Sequence, residues 1–472
     1  MELTTEEKKQ RSLEYSIRDG AFYSIMAGFG DSYITPFALL LKASTAEVGM
    51  LAALPHLISS WFMVLGARLV NRYRSRKRIV LYAVFFHALW WILLFAIPYW
   101  TRSVTVLLAL FTVYWIFGNL PSPAWNSWMG DLVEQNQRGR YFGRRNRVTG
   151  FFALVAVFAA GYTLNHFSQI DPFLGFGIIF GISALARFIS FYYLSRKYEP
   201  GYIPVQQDQF SFMEFLRRIR ETNFGIFSIY VCLMVFAVHI FGPFLVVLLL
   251  RDLGFSYIQY SLIIAVEAAA SFLMMVYWGK NSDTYGNKAV LTVSGIAVGF
   301  IPLLYLASTS FSWLLAIAVF TGFSWAGFNL STANFIFDTV RPSKRAQAIA
   351  YFHVLRGAAI FGGAAVGGLL AAYLPASLFV SNIIILGIIS GVLRLLVSLR
   401  YLPLIQEVRI VKASPPVLHF VTIMPVAGLV YESVFGMRTS YRKAAAVVGY
   451  LSRKLKVSER VIEQKKRFFM RY

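Results

Sequence analysis

Residues 289–337 carry no charged side chain, and neither do residues 357–393. A helix needs about 20 mostly apolar residues to cross the hydrocarbon of a bilayer, so each stretch is long enough for two crossings. Each also holds a break, at Ser308-Thr309-Ser310 in the first and at Pro375 in the second. Both stretches read as helical hairpins. The same rule applied along the chain predicts twelve spans, near residues 17–41, 46–70, 79–99, 104–131, 141–166, 172–195, 223–250, 257–279, 288–308, 312–338, 346–373 and 377–400. Backbone polar groups in lipid must be satisfied internally, and a closed barrel would show short alternating segments instead of these long apolar runs. The expected fold class is an all-α membrane protein.

Composition agrees: 57% of the chain is hydrophobic and 14% charged, against roughly 25% charged in soluble domains. The formal net charge of +23 would point to nucleic acid in a soluble protein. Here the placement of the charge decides its meaning. Only Lys42, Arg102 and Arg251 fall in outer loops, and Arg187, Arg356 and Arg394 fall within spans. The remaining Lys and Arg lie on one face. By the positive-inside rule both termini are cytoplasmic, in an inner or plasma membrane. The excess charge is a topology signal helped by anionic lipid heads, with the lipid bilayer as partner and no nucleic acid.

The polar N-terminus lacks a small-residue cleavage site, so no removable signal peptide is expected. The domain reading follows from polarity: a cytoplasmic segment 1–16, a six-helix bundle 17–195, a cytoplasmic linker 196–222, a second six-helix bundle 223–400 and a basic tail 401–472. In the tail, residues 417–436 read as an interfacial segment and 451–467 as amphipathic. One cysteine, Cys232, excludes an internal disulfide and a thiolate cluster. The six histidines have no ligand spacing. No metal and no cofactor are expected.

The halves repeat. At an offset of 207 residues Asp131 meets Asp338, Arg138 meets Arg345, Gly150 meets Gly357, Ile182-Ser183 meets Ile389-Ser390 and Arg187 meets Arg394. Asn119-Leu120 and Asn329-Leu330 correspond at a slightly larger offset. Matched intramembrane arginines are too rare to arise from apolar composition, and internal repeats are common in transporters. Two pseudo-symmetric six-helix bundles are implied.

The loop Gly279-x3-Asp283-x2-Gly286-x-Lys288 resembles the short cytoplasmic loop signature of the major facilitator superfamily. The first-half loop from Ala67 to Arg74 is a degraded copy, with Asn71 where the family usually places Asp and Arg74 where it places Gly. Asp131-x6-Arg138-Gly139, repeated as Asp338-x6-Arg345, resembles the family's acidic-to-basic link after the fourth and tenth helices. The resemblance covers about residues 15–400. It implies gating by Asp131, Arg138, Asp283, Gly286, Lys288, Asp338 and Arg345. It also implies a central cavity lined by helices one, four, seven and ten.

Charged groups inside a span are expensive and mark candidate sites. Gly20, Ser24, Gly28, Asp31 and Thr35 share one face of the first helix, a polar stripe suited to a water-filled cavity. Glu267 is central in the eighth span, where a lone carboxyl suits a group that loads and releases a proton. Glu267 and Asp31 are the expected proton carriers. His239 in the seventh helix is a further titratable group. Trp115, Asn119, Ser122 and Asn126 share a face of the fourth helix, and Trp325, Asn329 and Thr332 a face of the tenth. Aromatic faces with amides suit a polar or amphipathic organic solute. Lining the cavity that the resemblance implies, the expected substrate contacts are Asp31, Trp115, Asn119, Asn126, His239, Trp325 and Asn329.

Arg187 and Arg394 read as structural groups able to snorkel toward the interface. His353 and Arg356 are expected near Asp338 or Asp283. No metalloprotease, phosphate-loop or nucleophile-elbow motif is present, so an enzyme is not expected. The reading is a proton-coupled secondary transporter of a small organic solute, working by alternating access. Its rivals are an uncoupled facilitator and a non-transporting receptor or assembly partner on the same fold.

Overall fold

The computed structural model describes residues 4–134, 138–201, 211–340, 342–374, 381–409 and 411. The interfacial and amphipathic segments expected in the tail lie outside the described residues. Twelve long helices run in order: α1 Thr5–Phe29, α2 Thr45–Tyr73, α3 Arg76–Trp100, α4 Val104–Asn119, α5 Arg138–Phe167, α6 Pro172–Ser195, α7 Asn223–Phe241, α8 Tyr257–Tyr285, α9 Asn287–Phe300, α10 Phe311–Thr339, α11 Pro342–Tyr373 and α12 Asn382–Tyr401. Among the described residues, eleven helical segments are long and apolar enough to cross a membrane. The first falls short by that measure because α1 begins twelve residues before the expected span, in polar sequence capped by Thr4 and Glu7. Helix continues past it in Ile34–Leu40.

Each interruption has a local cause. Pro121 and Pro123 lack the N–H that would continue α4, which resumes as Ser122–Leu132. Leu120 there lies against α2 at Gly66, where a Cβ would overlap its carbonyl. Gly242 and Pro243 end α7, and Pro302 turns the end of α9 into a 3-10 segment, Ile301–Leu306. The two charge-free stretches are the hairpins α9–α10 and α11–α12.

Within the first half α1 packs on α5 and α6, α2 on α4, and α3 on α4 and α6. Within the second, α7 packs on α11 and α12, α8 on α10, and α9 on α10 and α12. The halves meet through α2 against α11 and α5 against α8. Leu185, Val276, Leu369 and Leu399 point outward and are exposed, as lipid-facing side chains are.

The repeat extends to the helix ends. Glu199, just past α6, accepts hydrogen bonds from the Arg76 and Lys77 amides (2.5 and 3.1 Å) and caps α3. Glu407, just past α12, accepts from the Lys288 amide (2.7 Å) at the start of α9. Gly286 at that junction has φ +89°, and a Cβ on it would press on the Glu407 carboxylate, so the glycine of the loop signature is a backbone requirement.

The linker is not simply polar. Lys197 is fully buried, its ammonium 4.4 Å from the Trp128 ring centroid and 3.2 Å from the Met129 sulfur. Burial pushes it down to about 7, with nearby Asp19 acting in the opposite direction. Between that value and the ordinary lysine value the unfolded chain binds more protons than the folded one, so stability rises with pH across this window. Lys197→Met is expected to be the more stable protein at pH 7.5. Its advantage should narrow by about 1.4 kcal/mol per pH unit up to pH 9.5, read as the difference in thermal midpoint between the two proteins in detergent. A constant difference would mean the lysine does not titrate between states.

Candidate functional site

Gly30 sets the geometry of Asp31. A Cβ on Gly30 would overlap the Trp91 ring and approach the Ser183 hydroxyl to 2.9 Å, so only glycine lets α1 lie this close to α3 and α6. The chain turns there through a short 3-10 segment, Asp31–Tyr33. The Asp31 carboxylate accepts a hydrogen bond from Tyr114 on α4 (2.6 Å). Tyr114 stacks on His87 of α3 at 4.1 Å, and His87 Nδ1 accepts from Arg187 Nε on α6 (2.9 Å). Arg187 Nη1 donates to Ser190 (3.0 Å), whose hydroxyl donates to Asp19 on α1 (2.6 Å). A polar chain thus joins two carboxylates of α1 through the interior of the first half. The sequence reading leaves Asp19 and His87 unmarked; a carboxylate and an imidazole inside apolar helices are the available signal.

Arg187 does not reach an interface: it is buried, as is Arg394, whose guanidinium donates to the Val298 and Val238 carbonyls (3.0 and 3.4 Å). The matched serines make matched bonds, Ser183 to the Met26 carbonyl (3.3 Å) and Ser390 to the Ala237 carbonyl (2.5 Å). The serines of α6 and α12 therefore grip α1 and α7 in the same way, while Arg394 bonds α7 directly and Arg187 reaches α1 through Ser190 and Asp19. Among the described residues, the first half alone adds an acidic partner to this arrangement, Asp19 through Ser190.

Between the halves, Trp115 lies against His56 of α2 (4.3 Å between ring centroids), and Asn119 donates to Ser59 (2.8 Å). Gly357 of α11 meets α2 at Ser60, where a Cβ would come within 2.8 Å of the hydroxyl. Its neighbour Arg356 is within electrostatic reach of His56, His239 and Cys232. His239 Nδ1 contacts the Val235 carbonyl at 2.8 Å. Trp115 and Asn119 thus contact α2 at His56 and Ser59, and His56 is within electrostatic reach of His239 and Arg356 of the second half. This corrects the expectation that Arg356 sits near Asp338 or Asp283. The Trp115 indole nitrogen is buried with no hydrogen-bond partner, an orphan donor in a place where a ligand or water can satisfy it.

Glu267 is half-buried on α8, and no hydrogen bond ties its carboxyl among the described residues. Gly322 lets α10 lie against that turn, where a Cβ would overlap the Glu267 carbonyl. Asp31 and Glu267 are not in contact. Their helices meet instead where the Tyr33 and Ser261 hydroxyls bond (2.6 Å) and Tyr260 donates to the Ser32 carbonyl (3.2 Å). Asn126 and Asn329 are exposed, and Trp325 packs on Phe328 at 5.5 Å.

The acidic residues expected in gates have no partner in the opposite half among the described residues. Asp131 binds Arg76, and Asp338 accepts from Asn287 (2.6 Å) and Arg409 (2.8 Å). Asp283 lies 3.7 Å from Arg409. The side chains of Arg138 and Arg345 lie outside the described residues, so the expected pairs with Asp131 and Asp338 have no description here.

At the other end the halves touch. Tyr33 joins Ser261 and also donates to the Val157 carbonyl (2.6 Å). Phe244 inserts between α2 and α11, where Gly49 and Gly367 leave room for its ring. Arg251 donates to Thr45 (3.2 Å).

Structural comparison finds this architecture in solute transporters. The fold matches the nucleoside transporter NupG with a TM-score of 0.66 at 14% identity, covering 84% of this chain and 100% of that one. An auto-inhibited POT family peptide transporter matches at 0.67 and 12%, covering 87% and 99%. A D-xylose-proton symporter matches at 0.64 and 14%, covering 85% and 98%. No curated protein sequence matches significantly. The family profile described as Major Facilitator Superfamily matches twice, at residues 20–240 and 227–446. The two matches run over nearly the whole chain, one for each half of the repeat. The chain belongs to the Major Facilitator Superfamily.

Proposed function

We propose that this protein is a secondary active transporter that moves a small organic solute across the inner or plasma membrane by alternating access, driven by protons. The observation that carries the reading is the uneven contact between the halves. Hydroxyl-to-hydroxyl and hydroxyl-to-carbonyl bonds join them at the end far from the basic loops, around Tyr33–Ser261 and Tyr260–Ser32, whereas at the basic end the linker ring of Phe212 lies between Trp61 of α2 and Tyr351 of α11. At the basic end the described ion pairs of Arg76 and Arg409 do not cross from one half to the other. Two rigid bundles sealed at one end are what rocking about a central site requires.

On this reading the bundles are residues 17–195 and 223–400, joined by the linker 196–222, with the termini and the basic tail in the cytoplasm. Trp115, Asn119 and His239 contact the solute at the centre, with Asp31, Asn126, Trp325 and Asn329 completing the path. Asp131, Asp283 and Asp338 exchange their present partners for partners in the other half, Arg138, Lys288 and Arg345 among them, when the cytoplasmic end closes, with Gly286 holding its loop. Glu267 and Asp31 carry the proton.

The test is flux into vesicles reconstituted with the full chain, under an imposed pH gradient, against pools of organic solutes. Accumulation that collapses with the gradient supports the reading. Gradient-independent equilibration means an uncoupled facilitator. No flux of any solute, with tail-dependent capture of another membrane protein, means a receptor on a transporter fold.

A further inference from the structure

Inside the first half, on the side of the basic loops, lies a cavity of about 340 Å³ bounded by α1, α3, α4, α5 and α6. That is enough for a small ligand, the usual range being about 300–1,000 Å³. No residue of the second half lines it. It is therefore distinct from the Trp115–His56–Arg356 centre between the halves.

Its chemistry is uneven. Arg145 and Arg187 face it, each guanidinium lying over an aromatic ring: Arg145 is 4.8 Å from the Trp125 centroid and Arg187 is 4.9 Å from that of Tyr23. Asp19 is the carboxylate on the wall, and it accepts from the Ser190 hydroxyl. No ion pair within 4.0 Å joins Asp19 to either arginine or to Lys197 among the described residues. Arg187 and Asp19 are 5% and 4% exposed. Tyr23 is 43% exposed, which gives the cavity an entrance.

The donors are incompletely used. Arg187 spends Nε on His87 and Nη1 on Ser190, and Arg145 spends Nε on the Ser16 carbonyl (3.2 Å). The Arg145 Nη atoms and Arg187 Nη2 make no hydrogen bond among the described residues. Gly20 positions Arg145, because a Cβ there would stand 2.7 Å from its Nη2 and push the guanidinium back. A guanidinium stacked on a ring keeps its in-plane donors free for the two oxygens of a carboxylate. Two guanidiniums with unused donors thus face one cavity, which is the arrangement that suits a carboxylate ligand.

We infer that this cavity binds a small aromatic carboxylate, its anionic group between Arg145 and Arg187 and its ring against Trp125 and Tyr23. This site is separate from the solute contacts proposed at the centre, and it stands or falls independently of them.

The test measures binding and flux separately, on the purified full chain. Benzoate and 2-naphthoate are titrated against benzamide and 2-naphthamide, their uncharged isosteres, with thermal midpoint and tryptophan fluorescence as readouts. The carboxylates are expected to protect saturably and the amides not. Arg145→Gln, at the half-exposed edge of the cavity, is expected to weaken carboxylate binding by about tenfold or more, with Arg145→Lys intermediate because it keeps the charge and loses the fork. Arg187→Gln is a second variant, read only if it purifies as a folded monodisperse protein. Equal protection by amides and carboxylates overturns the inference. So does absence of protection by either carboxylate, or an affinity unchanged in Arg145→Gln. Carboxylate binding without flux of any solute sinks the transport reading and leaves the site standing. Flux of other solutes with no carboxylate binding does the reverse.

Discussion

Glu267→Gln is expected to abolish proton-driven accumulation, by about 100-fold, while solute exchange across vesicles without a gradient continues. A carrier of protons must change charge during the cycle, so its ionised form cannot be permanently locked in a network. The Glu267 carboxyl is half-buried and has no hydrogen bond among the described residues, and glutamine keeps its shape while removing the proton. Asp31 is held differently, by the Tyr114 hydroxyl and within reach of Arg187. Asp31→Asn is therefore expected to impair both coupled and exchange modes, since it disturbs the chain that runs through Tyr114 and His87 to Arg187. The measurement is the ratio of gradient-driven to exchange flux in the two variants. A ratio unchanged in Glu267→Gln assigns the proton elsewhere, and equal loss of both modes in both variants makes Glu267 a packing group.

The helices were legible because lipid enforces long uncharged runs, and the hairpins at 289–337 and 357–393 need nothing beyond that. The repeat was legible wherever it carried rare residues, as with Arg187 and Arg394. Partners were less so. Asp131 suggests Arg138, seven residues on, yet it binds Arg76 at the start of α3, a neighbour that only the folded bundle creates. Glu199 and Glu407 look like solvated loop acids, although their separation nearly repeats the offset of the halves. Each caps the third helix of its half. Lys197 sits in a stretch whose polarity reads as linker, and its burial depends on Trp128 of α4 lying beneath it. Such placements depend on crossing geometry, which hydrophobic periodicity does not encode.

The centre of the site divides in the same way. Trp115 and Asn119 of α4 lie against α2, and His239 of α7 lies against α11, with α2 and α11 packed on each other between them. That packing is permitted by Gly357 and Gly363, where a Cβ would meet Ser60 and the Phe236 carbonyl. A glycine pattern reads as close packing from sequence, but its partner helix does not, so Arg356 was expected at the cytoplasmic gate.

Gly161→Val is expected to move the protein toward the state open at the end opposite the basic loops. A Cβ at Gly161 would overlap the Ser261 hydroxyl, which bonds to Tyr33, which in turn donates to the Val157 carbonyl one turn from Gly161. Any side chain there drives α5 away from α8 and separates the halves at their seal. Overpacking of this kind is worth about 1–3 kcal/mol, equivalent to a population change of roughly 5- to 150-fold between two states. Each bundle keeps its own packing, so the protein should fold and purify normally, with loss confined to the junction. With Cys232→Ser as background, a cysteine at Ser32 reports that end to a membrane-impermeant maleimide, and one at the exposed Asn126 reports the other. Labelling at position 32 should rise about tenfold or more in Gly161→Val, and labelling at 126 should fall. A folded variant with both rates unchanged would show that α5 and α8 can part without opening a path, placing the seal at Phe244 and Arg251 instead. A rise at both positions would mean that the bundles have loosened rather than rocked, because in alternating access one end opens only as the other closes.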